Sequence, residues 1–366
     1  MLTPTLARMP IAALLTVVWS TAAATQVRSA APDSLRGDSV QALLLREMQK
    51  RRIPGLQVAV VQHGRLVLLR SLGLATVEDS VPVADRTVFP VHSITKAFTG
   101  VAVMQLVESG QLDLAAPVSR YVDSLPATWR AVTIRHLLTH MSGLPDVWDA
   151  NSRLIANDED AAWARVQTLP IAFAPGERFS YNQTNYVLLG RIIHKLTGEP
   201  YTRFIQKRQF DVVGMPWAGF GDAHDVVPHI SGSYWYFRNV GMTMRRSDTL
   251  GVYVRDWPPF LRPATGLNIS AAELAQWLIA LQEGRLITKA SLTTLWTPGV
   301  LNNGSQQGFG NLLNGYALGW PTASRPEHRA IGPTGGARAA LFVYPEDDLA
   351  VVIYMEIGRA SCRERV

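Results

Sequence analysis

Ser93-Ile94-Thr95-Lys96 carries the residue types of acyl transfer: a hydroxyl nucleophile and, three positions on, an amine that can act as its base. At the start of a helix the two side chains share one face, one turn apart. A helix N-terminus favours negative charge, and the Ser93 backbone N–H can point at the oxygen of a carbonyl under attack. The residues that follow predict such a helix. From Ile94 to Ser109 the chain is apolar almost all round, with Phe98, Val101, Ala102, Met104, Leu106 and Val107, and Gly110 ends it. A helix of this kind is buried. A lysine on it is desolvated, its ammonium form is disfavoured, and it becomes a usable base. Serine and lysine at this spacing also occur by chance. The tetrad gains weight from its helix, because a buried lysine needs a reason.

Other chemistries find less support. There is no G-x-S-x-G, Walker A, H-E-x-x-H or G-x-G-x-x-G. His136 and His140 stand four apart on a predicted helix, Ile134 to His140, with Thr133 as its cap. That spacing could hold a metal, but no glutamate intervenes and no third ligand is evident, so a structural or cleft-lining role is preferred. The single cysteine, Cys362, excludes an intramolecular disulfide framework, Cys-type zinc sites and iron–sulfur clusters. No metal or organic cofactor is expected. With 366 residues, 47% hydrophobic and 17% charged, the chain can bury a substantial core, which excludes global disorder. Lys and Arg outnumber Asp and Glu by 35 to 29, a net charge of +6. The cationic residues are dispersed, and the densest run, Lys50-Arg51-Arg52, lacks interleaved aromatics, so nucleic acid is not an expected partner.

Both ends stand apart from the fold. Arg8, the apolar run Ile11 to Trp19 and Ala22-Ala23-Ala24 form the pattern of a secretory signal over residues 1–24. The run is too short to span a bilayer, and no cysteine follows it for a lipid anchor. A secreted or periplasmic protein without a stable membrane anchor is expected, the alternative being a buried N-terminal helix. Residues 356–366, Glu-Ile-Gly-Arg-Ala-Ser-Cys-Arg-Glu-Arg-Val, resemble the in-frame translation of a sequencing-library adapter. They are set aside as a scar, the alternative being a genuine basic tail.

Between these ends, residues 39–52 have helical periodicity. Strands are predicted at Leu56 to Gln62 and Arg65 to Ser71 around a His63-Gly64 turn. The middle is mainly helical, with helices at Thr184 to Leu196, Tyr201 to Phe210 and, behind the Ser270/Glu273 capping box, Ala271 to Glu283. Residues 226–263 are rich in Trp, Tyr and Arg and give no clear element; Tyr234, Trp235, Tyr236 and Phe237 could shape a pocket or belong to the core. Strands return at Ala337 to Tyr344 and Leu349 to Met355. The expectation is an α+β fold: an antiparallel sheet built from both chain ends, flanked by helices, with a mainly helical lobe inserted at roughly 85–325. Active sites commonly lie between such lobes.

Phe89-Pro-Val-His-Ser-Ile-Thr-Lys96 resembles the S-x-x-K box of serine β-lactamases and penicillin-binding proteins, most closely the class C β-lactamase-like group with its serine esterases. Ile134 to Pro145 resembles the segment that follows in that group. Pro175 to Tyr181 with Asn185 to Gly190 resembles its second box, and Gly335-Gly336 through Asp348 its third box and hairpin. These segments run in order over roughly 40–355. The resemblance implies a β-lactamase/transpeptidase-like fold, Ser93 as the acylated nucleophile, Lys96 as its activator and Tyr181 as a proton carrier whose pKa neighbouring ammonium groups lower, a packed aromatic being the alternative. It implies a second oxyanion donor in the Gly336 N–H, and Thr334 and Gly335 as substrate-binding residues beside it. Two departures stand out. Gln183 occupies the place where the family has asparagine, one methylene longer. Pro333 stands where the family has lysine or histidine, and it offers neither charge nor donor. Arg338, two residues past Gly336 and so on the same strand face, could supply that cation or could serve a structural ion pair.

The expected function is a secreted serine hydrolase cleaving esters or small amides through a Ser/Lys/Tyr acyl-enzyme, its partner a small-molecule ester, amide or peptide substrate. The alternatives are a D-amino-acid peptidase or weak β-lactamase, against which Pro333 counts, and a catalytically weak binding or sensor protein. The family continues past its last strand into a helix that covers the sheet. With the tail an artefact that helix would be missing, and a destabilised or insoluble product is expected from this reading frame.

Overall fold

The computed structural model describes residues 33–149, 154–156, 158–240, 243–310 and 312–358. The proposed leader, Cys362 and most of the adapter-like tail lie outside them. The chain opens with helix α1 (Asp33–Arg51) and strands β1 (Gly55–Gln62), β2 (Arg65–Thr76), β3 (Val81–Pro82) and β4 (Phe89–Pro90). Helices α2 (Thr95–Glu108), α3 (Ile134–Leu138), α4 (Glu159–Thr168), α5 (Thr184–Thr197), α6 (Tyr201–Ile205) and α7 (Asp211–Val213) follow. Next come β5 (Gly219–Phe220), β6 (Tyr234–Val240), β7 (Thr243–Val252), β8 (Leu267–Ile269), α8 (Ala271–Gln282) and α9 (Lys289–Trp296). The chain then forms β9 (Gly315–Tyr316), β10 (Pro321–Ala323), β11 (Ala330–Ile331), β12 (Thr334–Gly335), β13 (Ala339–Tyr344) and β14 (Leu349–Met355).

The two chain ends meet in one antiparallel sheet, ordered β3-β2-β1-β14-β13-β11-β10-β9, with β12 paired to β13. First and last strands pair directly, from Leu56 against Met355 to Gln62 against Leu349. The His63-Gly64 turn has φ of +50° and +68°, which suits the twist of a two-residue hairpin. On β14 alternate residues are buried, Ala350, Val352 and Tyr354, as a sheet with one core face requires. Helix α8 covers that face, started by the expected box: Ser270 Oγ accepts from the Glu273 N–H, and Glu273 reaches back to the Ser270 N–H. The opposite face carries a smaller cluster, Met48, Ile53, Leu56, Val58, Tyr236 and Ile357, with Ile353 and Met355 half-buried beside it.

Helix α2 runs through the main core, and nearly every residue on it is buried. Around it lie α5, α6, α8 and α9, so the expected mainly helical insertion stands between the two halves of the sheet. Three expectations change in detail. Residues 234–240 and 243–252 form an antiparallel pair, β6 on β7. The helix expected over Tyr201 to Phe210 gives way after Ile205 to a wider π turn, Gln206–Phe210. Helix α3 stops at Leu138, and His140 takes φ +57°, so His136 and His140 do not share a helical face. His136 instead completes a capping box with Thr133. Among the described residues no helix is long and apolar enough to cross a membrane.

Candidate active site

The approach to Ser93 is a reversal. After β4, His92 adopts φ +47°, an uncommon conformation for a non-glycine residue, with a cost on the order of 1–3 kcal/mol. Packing holds it there. His92 is buried, edge-on to Trp257 with ring centroids 4.7 Å apart. Thr95 Oγ1 donates to the His92 carbonyl at 2.6 Å, closing the 3-10 turn His92–Ile94 that presents Ser93 at the entry to α2.

Lys96 follows one residue inside α2 and is fully buried. Its Nζ lies 3.5 Å from Ser93 Oγ and donates to Gln183 Oε1 and to the Ala264 carbonyl, both at 2.9 Å. The rings of Tyr181 and Tyr186 lie 4.8 and 5.2 Å from it. Burial pulls the amine down to about pKa 7, against a smaller opposing pull from Asp146. The lysine therefore exchanges its proton near neutrality, as a base for a serine must.

Tyr181 comes from the segment before α5. Its hydroxyl donates to Ser93 Oγ at 2.8 Å. The lowered phenol pKa expected from neighbouring ammonium groups is corrected: burial pushes Tyr181 well above the ordinary tyrosine range, Asp146 adds to the rise, and the Ser93 and Gln183 hydrogen bonds only partly oppose it. At neutral pH Tyr181 is thus a proton donor. The segment is fixed from beneath by His140, whose Nδ1 accepts from the Asn182 N–H at 3.2 Å and whose ring packs 4.3 Å from that of Tyr181. Burial, with the Lys96 charge, holds His140 far below the usual histidine range, so it stays neutral. Gln183 reaches Lys96 despite its extra methylene. Asn182 points elsewhere, donating to the Leu144 carbonyl at 2.6 Å and accepting from the Asn185 N–H at 3.0 Å.

The third segment closes the site from the sheet. Strand β12 lies so close to the turn before Ser93 that a Cβ on Gly335 would sit 2.0 Å from the Val91 carbonyl oxygen, and one on Gly336 would sit 2.8 Å from the His92 ring. Thr334 and Gly336 are exposed, while Gly335 and Pro333 are buried. Of the two roles open to Arg338, the structure fits the structural one, and the strand-face argument does not hold. Gly336 and Ala337 both have positive φ, +57° and +56°, so the chain turns between β12 and β13 and strand alternation does not carry Arg338 to the Gly336 face. Arg338 is buried. Its Nη1 donates to the Glu356 carbonyl at 3.0 Å and its guanidinium lies 4.4 Å from the Tyr253 ring centroid. Burial pulls its pKa down to about 10. It serves the structure behind β12 rather than replacing the cation missing at Pro333.

Sequence reasoning passed over Asp146. It lies in the loop after α3, and its Oδ1 accepts from the Gln183 and Trp148 N–H groups at 3.1 and 3.3 Å. The carboxylate thus sits on the first amide groups of α5, where the helix dipole favours it. Burial nevertheless raises it to about pKa 6. The groups facing Lys96 are Ser93, Tyr181, Gln183, Tyr186, neutral His140, the Ala264 carbonyl and, at longer range, Asp146. Asp146 is the anion among them, so it raises the Lys96 pKa. Asp146→Asn keeps an acceptor for Gln183 and removes the charge. The acid limb of its kcat/KM profile is expected at lower pH than in the parent, with little change in the plateau; an unmoved limb would show that Asp146 does not act on Lys96.

Comparison with known proteins bears on this constellation. Residues 40–360 match the family described as Beta-lactamase. Protein flp of Staphylococcus aureus (strain N315) is 26% identical over 332 residues, 87% of this chain and 63% of its own length. The chain spans about two thirds or less of the curated relatives it matches first. Among solved structures, the D-amino acid amidase of Ochrobactrum anthropi SV3 superposes with a TM-score of 0.74 at 22% identity, covering 88% of this chain and 92% of the amidase. EstCE1, a hydrolase with promiscuous acyltransferase activity, gives 0.73 at 20% identity, covering 89% and 94%. At these identities the two structures speak to the fold alone.

Proposed function

The chain belongs to the Beta-lactamase family, a family of serine hydrolases, and on that premise we propose that it cleaves neutral esters or small amides through an acyl-enzyme on Ser93. The observation that carries this reading is the convergence on Ser93 Oγ of a phenol at 2.8 Å and a buried amine at 3.5 Å. Neutral Lys96 takes the Ser93 proton as Oγ attacks the substrate carbonyl. The oxyanion lies between the N–H groups of Ser93 and Gly336. Tyr181 gives its proton to the leaving group and is recharged from the Lys96 ammonium. Water then attacks the acyl-serine with the same groups reversed.

Substrate charge follows from the third segment. Pro333 brings no cation, and Arg338 is held behind β12. A substrate carboxylate finds no replacement there for the usual lysine. This favours neutral esters and amides over β-lactams and free peptide carboxylates. The amidase and EstCE1 are compatible with such chemistry. We also propose that the mature protein works outside the cytoplasm, on the strength of the leader-like residues 1–24.

The test is a fluorophosphonate probe with an ester and cephalosporin panel. Folded protein is expected to label at Ser93, and Ser93→Ala is expected to lose label and at least about a thousandfold in ester hydrolysis. Unlabelled folded protein, or full activity in Ser93→Ala, would sink the proposal. Cephalosporin turnover matching ester turnover would reassign the substrate.

A further inference from the structure

Phe309 is a large aromatic left about half in solvent, 52% exposed, at the edge of the site. Its ring lies 5.1 Å from that of Tyr181, 5.4 Å from Phe179 and 6.0 Å from Tyr316. It is the outermost member of an aromatic stack whose inner members, His140 and Tyr316, are fully buried. The segment carrying it is anchored. The Phe179 N–H donates to Gln307 Oε1 at 3.0 Å, and Asn302 bonds the Gly176 and Pro175 carbonyls at 2.8 and 3.0 Å. Gly308 approaches so closely that a Cβ there would lie 2.3 Å from the Leu313 carbonyl oxygen, and Gly310 takes φ +132°. Glycine on both sides of Phe309 is what this backbone requires. From Leu301 to Asn314 the sequence has no charged residue and no histidine, and Leu312 is also exposed.

We propose that Phe309 forms a subsite for an apolar, uncharged leaving group of the substrate, aryl or alkyl, packed against its exposed face. The side of the site follows from Tyr181. Its hydroxyl touches Ser93 Oγ and hands the proton to the departing oxygen or nitrogen, and Phe309 lies against that same ring. A group leaving past Tyr181 meets Phe309 next. An anchored ring gives contact area with little ordering on binding. The uncharged segment offers no pairing for an ionic group. This inference rests on the proposed acylation of Ser93.

The experiment uses methyl acetate and benzyl acetate, which share an acyl group, and methyl phenylacetate, which moves the ring to the acyl side. Labelling of Ser93 by fluorophosphonate is followed in parallel. The parent is expected to prefer benzyl over methyl acetate. Phe309→Ala is expected to lose about tenfold in kcat/KM on benzyl acetate, chiefly through KM, and under about twofold on methyl acetate, with labelling unchanged. Phe309→Tyr should retain the preference. An unchanged benzyl-to-methyl ratio in labelled Phe309→Ala overturns the subsite and leaves the acyl-enzyme standing. So does an equal loss on both acetates, which marks a structural role. A loss confined to methyl phenylacetate overturns the leaving-group assignment. A parent that hydrolyses none of the three and takes no label overturns both proposals.

Discussion

Lys96→Met is expected to lower ester kcat/KM by about three orders of magnitude while leaving the protein as stable as before, or more so. The activity loss follows from position. On the proposed mechanism Lys96 is the base beside Ser93 Oγ, and Tyr181, pushed upward by burial, cannot take its place near neutral pH. The stability argument is separate. Folding lowers the lysine from 10.5 to about 7, which costs roughly 4–5 kcal/mol at neutral pH relative to a group that carries no charge. Methionine fills much of the same volume and removes that cost. It strands two acceptors, Gln183 Oε1 and the Ala264 carbonyl, at about 1–3 kcal/mol each. The opposing terms are of similar size.

The same group sets two pH dependences. Lys96 must be neutral to act, so parent kcat/KM should rise through about pH 7. For stability, the unfolded lysine binds a proton that the folded one has lost between about pH 7 and 10.5, so this group's contribution rises with pH across that window. Urea unfolding at several pH values should show that slope in the parent and its absence in Lys96→Met. A variant that retains activity would place the base elsewhere. A variant that unfolds at neutral pH would show that the two acceptors outweigh the ammonium.

What was legible from the chain divides along physical lines. The apolar run after Ser93 specified a buried helix, and a lysine on it could have few purposes; both inferences need local sequence alone. Tyr181 and Gln183 became visible through ordered resemblance, because their meaning depends on a partner 87 or 88 residues away. Asp146 gave no signal. A carboxylate after Leu144-Pro145 is an ordinary loop residue until α5 is brought against it. For Arg338 the structural role holds over the substrate-facing one, and the reason is definable. Alternation is a property of extended backbone, and two successive residues of positive φ end it. The Tyr181 shift runs opposite to the one its cationic neighbours imply, because burial outweighs them. In that site the amine is itself discharged near neutrality, so burial prevails.

Glu356→Gln is expected to stabilise the protein by about 2–3 kcal/mol at pH 7, an effect opposite to that of most substitutions of a buried residue. Glu356 follows β14 and is 1% exposed. Its main-chain oxygen is well used, accepting from the Tyr234 N–H at 2.8 Å and from Arg338 at 3.0 Å. Its carboxylate is not. Neither oxygen has a hydrogen-bond partner of good geometry, and both crowd Gly55, within 2.7 Å of where a Cβ would stand. Burial pushes the carboxyl up to about pKa 8, with the Gly55 N–H pulling only weakly the other way. The sign follows. The unfolded carboxyl ionises near 4.5, while the folded one keeps its proton until about 8. The folded state therefore binds more protons across that window, and stability falls as pH rises through it. At pH 7 the deficit is about 3 kcal/mol, which an amide of equal size removes. Parent and Glu356→Gln unfolding curves should converge near pH 4.5 and separate towards pH 8. Parallel curves would show that the carboxyl reaches solvent or a donor, and that the deficit lies elsewhere.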